Sequence, residues 1–492
     1  MAATTNQVLN ALQLATVGLL LLGCGEQPAS SESEELSPGE RSEADVQPAS
    51  DPSNTGGWIL REDISDEFDG SEIDKSKWFV QGDSSDYYIW KGRAPSQFAA
   101  HNVIVEGGLL KLRSQWEPDF DFAIGEGHEG NDYATHDGEF IPVTTAAIVS
   151  HKRFLNGYME VRSRSADAAM TSSFWMIGYE SELDVYETMG NPKINSGSGI
   201  TATMLKASVH DWQPPAQRPT RRFGYVQELP WRVADDFHVY GVDWGPDYLK
   251  FYIDGELMHE VTQAEVGKDW VLTNPLEIWL DSEIFVWLGL PHEEELPADF
   301  EVDYVRVWQK PGANLLDRAF FGFEGPILYQ HQPRPLNLVP ENSENNDYQK
   351  FWLIEDTSSE NLAVVRHETF SSGTRSLRYS GAAAASAVSP VASVSLPAGD
   401  FVFSARILVE DGAVARGLRF ELQESSSLDF SIDLTELPTG EWATVSHAFS
   451  RSDNDAATDE MAIHFSASGA PDTGNSVYVD DIRVESRESS GQ

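Results

Sequence analysis

Three acids fall within six residues at Glu182, Asp184 and Glu187, in the segment Tyr179–Gly190, YESELDVYETMG. A regular strand sends alternate side chains to one face, so Glu182 and Asp184 share a face while Glu187 points away. One extra residue, a β-bulge near Val185–Tyr186, returns Glu187 to the shared face. Carboxylates crowded on one face of a strand repel each other, and strand formation gives no reason to carry them. Cleavage of a glycosidic bond does. A retaining mechanism needs two carboxyl groups about 5–5.5 Å apart, one as nucleophile and one as acid/base. A short Asp between two long Glu side chains keeps one neighbour protonated and hydrogen-bonds the other, which splits their pKa values. The competing reading of the same spacing is a solvated acidic strand edge.

The elements that must position these acids read as short strands. Ser172–Gly178, SSFWMIG, is an apolar, aromatic run directly before the acids, as expected of a buried strand. From Trp58 to Lys310 the chain alternates strand patterns with turn signals and shows no internal repeat. NVIVEGGLLKLRS predicts a hairpin around Glu106–Gly108, GYMEVRSRS alternates cleanly, and DYLKFYIDGELMHEV predicts a type I′ hairpin at Asp254–Gly255. The expected fold class is all-β: a jelly-roll β-sandwich, then a second, smaller β-sandwich.

ELDVYE resembles the ExDxxE signature of glycoside hydrolase family 16, whose fold is a jelly-roll sandwich with a long sugar-binding cleft. FWMIG before it, DEF near the start and VDYVRVW at the end fit the same family. The resemblance implies that Glu182 is the nucleophile, Asp184 its helper and Glu187 the acid/base. It implies no catalytic cofactor. KGRAPSQF followed by NVIVEGGLLKL is similar to family members that cut red-algal galactans: agarases, porphyranases and carrageenases. In that group DSEIFVW (Asp281–Trp287) resembles a cleft wall whose Glu283 hydrogen-bonds sugar hydroxyls, and His210 matches a histidine near the cleavage point. Family sandwiches often hold a structural calcium, and Asp303 matches a ligand position there; a surface acid on a terminal strand is the alternative.

Other candidates come from aromatic and cationic residues. IWKGRAPSQF (Ile89–Phe98) offers Trp90 as a sugar platform with Arg93 beside it, or else a surface loop whose Trp plugs the core. Trp175 is expected to stack near the reacting sugar. His210–Arg232 carries Arg218, Arg221, Arg222 and Arg232 with Trp212 and Trp231, in a chain of formal net charge −45. Local positive charge there suggests an anionic ligand such as a sugar sulfate, with Arg221 and Arg222 as contacts, or charge balance against acidic neighbours.

The bulk numbers exclude some functions. A charge of −45 argues against nucleic acid, which is held by basic surface. Twelve of the fourteen Trp lie before residue 310, so the stacking surface is concentrated in the first large domain. The sole cysteine, Cys24, follows the apolar run 8–23, and LLGC resembles the lipobox of bacterial lipoproteins, with Cys24 lipidated; Met1–Gln7 lacks the usual Lys or Arg. The expected organisation is a signal peptide at 1–24, a disordered acidic tether at 25–56, the family-16-like catalytic domain at 57–311, and a carbohydrate-binding-module-like sandwich at 317–488. In the last, FGFEG, SSGTRSLRYSG and VDDIRV resemble such modules, with Trp352 and Trp442 as platforms or core.

Together these readings describe an exported or surface-anchored monomer that hydrolyses β-1,4-galactosidic bonds, with a sulfated galactan slightly favoured. Its partner is the polysaccharide, and it meets a membrane only through the lipid anchor. Neutral agarose, then a β-1,3-glucan, are the alternative substrates. A non-catalytic carbohydrate-binding surface protein is the alternative of another class.

Overall fold

The computed structural model describes residues 46–487 except 89–90, 123–132, 179–180, 195–196, 198–199, 212–222, 274, 311–313, 317, 325–351, 355–360, 367, 374, 382, 390–392, 453–454, 456–457 and 468–473. Among them no helix is long and apolar enough to cross a membrane.

Two facing sheets make the first sandwich. The sheet that carries the acids has seven antiparallel strands: β1 (Trp78–Val80), β2 (Ala147–Phe154), β3 (Thr171–Gly178), β4 (Ser181–Met189), β5 (Met204–Asp211), β6 (Phe223–Glu228) and β7 (Leu276–Asp281). Their spatial order is β6-β5-β4-β3-β7-β2-β1. The facing sheet has ten strands, with Gly157–Arg164 and Ala298–Gln309 side by side at its centre. Between them lies one apolar core that includes Phe174, Met176, Leu183, Tyr186, Ile278, Val161 and Val305. The two predicted hairpins form. Asp254 and Gly255 have φ of 50° and 81°, and Gly107 and Gly108 have 64° and 76°, the left-handed pairs that type I′ turns require.

The last residues of the stretch expected as a disordered tether are ordered. Residues 46–56 are held to the sandwich: Ala49 N–H donates to Glu160 Oε2 at 2.9 Å, and Trp308 Nε1–H donates to the Val46 carbonyl at 3.2 Å. Asp51 ties the segment into a turn by accepting the Thr55 and Gly56 amides at 2.9 and 2.6 Å. A polar stretch orders here because side chains and a buried carboxylate satisfy its backbone, which composition does not reveal. Cys24 and residues 1–45 as a whole lie outside the described residues.

Two five-stranded sheets make the second sandwich, around a separate core that includes Phe403, Leu418, Ile463 and Val479. Trp352 belongs to that core, parallel to Phe320 at 5.1 Å and 3°. Trp442 sits on the outer side of its sheet against Val365, Leu408 and Tyr478, which leaves it as the platform candidate of the pair.

Candidate active site

The bulge lies where the acid spacing requires it. On the β3 side Trp175 pairs Asp184 and Phe174 pairs Tyr186, so Val185 is the extra residue. On the β5 side Asp184 pairs Ser208 and Glu187 pairs Lys206. Tyr186 anchors the irregularity: its ring packs in the core on Tyr240 at 4.7 Å, and its hydroxyl meets Ser163 Oγ of the facing sheet at 2.6 Å. With Val185 and Tyr186 both turned into the core, Glu187 comes round to the face that already bears Glu182 and Asp184. Just beyond the strand, a Cβ on Gly190 would meet the Ala166 carbonyl oxygen at 2.1 Å, so the chain can leave there only with glycine.

Strand register then sets three rows of side chains across the outer face of the sheet. One row is Lys206, Glu187, Ser173, Asp281 and Ala147. The next is Ser208, Asp184, Trp175, Trp279 and Val149, and the third is His210, Glu182, Ile177, Glu277 and Arg153. The acids therefore stand on an apolar floor built from Trp175, Trp279, Ile177, Val149 and Tyr88. Trp175 stacks on Trp279 at 4.8 Å and donates Nε1–H to Asp281 Oδ2 at 3.1 Å; only 7% of it is exposed. It is part of the floor beside Asp184 and stacks on protein before any sugar arrives.

Asp184 is tightly held. Its Oδ2 accepts the Ser208 hydroxyl at 2.6 Å and faces His210 Nε2 at 3.1 Å, while the same nitrogen lies 3.7 Å from Glu182 Oε1. Glu187 Oε2 accepts from Lys206 Nζ at 2.7 Å. Burial, then the Asp184 charge, push the Glu187 carboxyl above the usual range; Lys206 and His210 pull the other way. A carboxyl group raised in this way holds its proton more firmly, as a proton donor to a leaving group must. Glu182, Asp184 and His210 also form the one cluster among the described residues that could hold a metal ion.

A second acidic group borders the first. Asp281 is buried, and burial together with the Glu283 charge pushes its carboxyl well above the usual range. Glu283, itself buried, accepts from Arg93 Nε at 3.1 Å. The Arg93 guanidinium lies over Phe285 at 5.1 Å and Trp287 at 5.7 Å, and nearly half of its side chain is exposed. Burial opposes its charge, but Glu283, with Asp281 and Glu187 behind it, holds its pKa above the ordinary guanidinium range.

The sequence-derived candidates thus divide. Glu182, Asp184, Glu187, Trp175 and His210 come together, with Arg93 and Glu283 paired beside them. Trp90, Trp212, Arg221 and Arg222 lie outside the described residues. Trp231 is elsewhere: it stacks on His238 of the facing sheet at 4.0 Å and 13°, and Arg232 next to it is ion-paired with Asp235 at 3.0 Å. Its apolar face is used for packing against the core. Asp303 Oδ2 accepts from Arg162 Nη1 at 2.7 Å, the ion pair expected of a surface acid on a terminal strand.

Lys206, Ser208, Trp279, Tyr88 and Asp281 were not singled out from sequence. Two of them had a signal. In MLKASVHD, Lys206, Ser208 and His210 alternate, so any face holding His210 must hold the other two.

A family model described as "Beta-porphyranase A-D, GH16 domain" matches residues 58–310. Beta-porphyranase E of Zobellia galactanivorans is 27% identical over 255 residues, covering 49% of this chain and 83% of the relative. Kappa-carrageenase of Pseudoalteromonas carrageenovora is 26% identical over 326 residues, covering 62% and 74%. The solved structure of porphyranase B from Zobellia galactanivorans aligns with a TM-score of 0.42 at 23% identity, over 51% of this chain and 92% of that one. The matched span is about half of the chain and contains every residue of the three rows. The chain is a glycoside hydrolase and belongs to family 16, in its group of red-algal galactan hydrolases.

Proposed function

We propose that the protein is a retaining endo-glycosidase that hydrolyses β-1,4-galactosidic bonds in a red-algal galactan, with a sulfated polymer of the porphyran, carrageenan or furcellaran kind slightly favoured over agarose. The observation that carries it is the bulged strand with Glu182, Asp184 and Glu187 on one face above an aromatic floor. In the first step Glu182 attacks the anomeric carbon and its bond to the leaving oxygen breaks as Glu187 gives that oxygen a proton. In the second, Glu187 takes a proton from water, the water oxygen bonds to the anomeric carbon, and Glu182 leaves as carboxylate. Asp184, held by Ser208 and His210, disfavours ionisation of Glu187 before the first step. Arg93, anchored on Glu283 over two aromatic rings, supports the preference for an anionic sugar, since guanidinium groups grip sulfate-like anions by charge-assisted bonds.

The test is reducing-end release from porphyran, κ-carrageenan, furcellaran, agarose and laminarin side by side, with proton NMR of the earliest product on the best substrate. The expected initial product is the β-anomer, because carboxylates placed for direct attack invert the centre twice. An initial α-anomer sinks the mechanism. Fastest cleavage of agarose or laminarin overturns the sulfate preference while leaving the acids in place.

Attachment through a lipid on Cys24 is part of the same proposal, motivated by the sole cysteine directly after LLLLG. Detergent-phase partitioning of the native protein that Cys24→Ala abolishes is the expected result. Equal aqueous partitioning of both leaves plain secretion.

A further inference from the structure

Double displacement, as proposed above, gives Lys206 no task, yet among the described residues Lys206 is the group hydrogen-bonded to Glu187. It stands directly opposite Glu187 in the β4–β5 register, on the cleft face, with Nζ at 2.7 Å from Oε2. The Lys206 side chain is 30% exposed and that of Glu187 is 16% exposed, so the pair is partly dry. A lysine in the middle of a strand that lines an apolar floor forgoes hydration without a packing return. The return is electrostatic.

Among the described residues, the charged and titratable groups facing Glu187 are few. Its own strand contributes Asp184 and Glu182. From β5 come Lys206 and His210, and β7, one strand beyond Ser173, adds Asp281 with Glu283 next to it. Arg93, which pairs with Glu283, lies within electrostatic reach. Acids predominate in this set, and burial adds to their effect; both favour the protonated carboxyl. Among the described residues Lys206 is the close opposing charge, aligned by a hydrogen bond.

We propose that Lys206 is a positioning residue that sets the pH at which Glu187 exchanges its proton, so that one carboxyl group serves as acid in the first step and as base in the second. This rests on the acid/base reading of Glu187. A group with both duties works best with a proton affinity near the operating pH. Without a counter-charge, a buried carboxyl among acids holds its proton too firmly and gives it up too reluctantly. The ammonium group stabilises the ionised form that must receive the proton of water, and its bond to Oε2 fixes the carboxyl plane.

The experiment is the pH dependence of kcat/KM on the best galactan for the wild type, Lys206→Met, Lys206→Arg and Glu187→Gln. The alkaline limb reports the proton-donating group of the free enzyme. In Lys206→Met it is expected to move upward by about one pH unit or more, the effect of losing an adjacent opposite charge. Lys206→Arg keeps the charge and is expected to retain the wild-type limb. A purely structural lysine would lower activity at every pH and leave the limb where it was; that result overturns the inference. If Lys206→Met is too damaged to assay, a carbon-13 titration of the Glu187 carboxyl in Lys206→Gln reads the same shift without turnover, and an unmoved titration overturns it equally. Glu187→Gln separates the two levels. Wild-type activity in that variant defeats the acid/base reading, whereas an inactive Glu187→Gln with an unmoved limb in Lys206→Met defeats only the role of Lys206.

Discussion

Glu182→Gln is expected to lower kcat/KM on the best galactan by about four orders of magnitude or more, as removal of a covalent nucleophile does. For Glu187→Gln the expected loss is about two to four orders of magnitude, the usual worth of a positioned proton donor. Neither change removes core packing, since both side chains stand on the cleft face, so thermal unfolding should change little. Dependence on the leaving group distinguishes the two roles. An aryl galactoside with a strongly acidic phenol needs no proton to depart, so Glu187→Gln should form the glycosyl-enzyme from it at a rate near the wild type. Water then lacks its base, and the intermediate accumulates as a burst. Glu182→Gln should show neither recovery nor burst. Near-normal turnover of the galactan by either variant would mean that the roles are wrongly assigned. Asp184→Asn should cost less than either, because Asp184 acts on the proton affinity of Glu187 and forms no bond to the sugar.

What could be read from the sequence follows from how local each constraint is. The bulge was legible because three acids at this spacing serve a common purpose only if one residue is looped out, and the extra residue falls at Val185. The hairpin at Asp254–Gly255 was legible because two successive positive φ values strongly favour those residue types. The floor was less so. Trp279 and Tyr88 reach the acids only through the pairing of β7 with β3 and through a loop, contacts with no fixed sequence spacing. The packing of Trp231 was hidden for a related reason: an aromatic residue near arginines resembles a sugar platform, and its stacking on His238 depends on how the facing sheet is placed. Asp303 lies beside Arg162 only because two strands far apart in sequence are neighbours. Side-chain chemistry proposes candidates. Non-local register selects among them.

The same register creates a weak point beneath the site. Arg153 and Glu277 end the row that contains Glu182, and they form an ion pair of 2.9 Å whose side chains are 1% and 0% exposed. Arg153 Nη2 also donates to the Tyr88 hydroxyl at 3.4 Å, and Tyr88 stacks on Trp279 at 5.8 Å. Arg153→Met is expected to destabilise the catalytic domain by about 3–5 kcal/mol at pH 7, because it leaves a buried carboxyl without its countercharge. That is a large part of the roughly 5–15 kcal/mol that holds a domain folded. Burial already raises the Glu277 pKa and Arg153 is the main group lowering it, so the variant's Glu277 is raised further. A carboxyl raised in the folded state keeps its proton there and releases it on unfolding, which makes unfolding easier as pH rises above the unfolded value of about 4.3. The deficit relative to wild type should therefore be smallest near pH 4 and grow toward neutrality. Urea unfolding at pH 4 and pH 7, followed by tryptophan fluorescence, measures it; twelve of the fourteen Trp precede residue 310, so the signal reports mainly the catalytic domain. Arg153→Met with Glu277→Leu should recover most of the loss, since replacing both members of a buried pair with apolar groups is often neutral. A deficit that is equal at both pH values and persists in the double variant would mean that the aliphatic packing of Arg153, and not its charge, supports the floor.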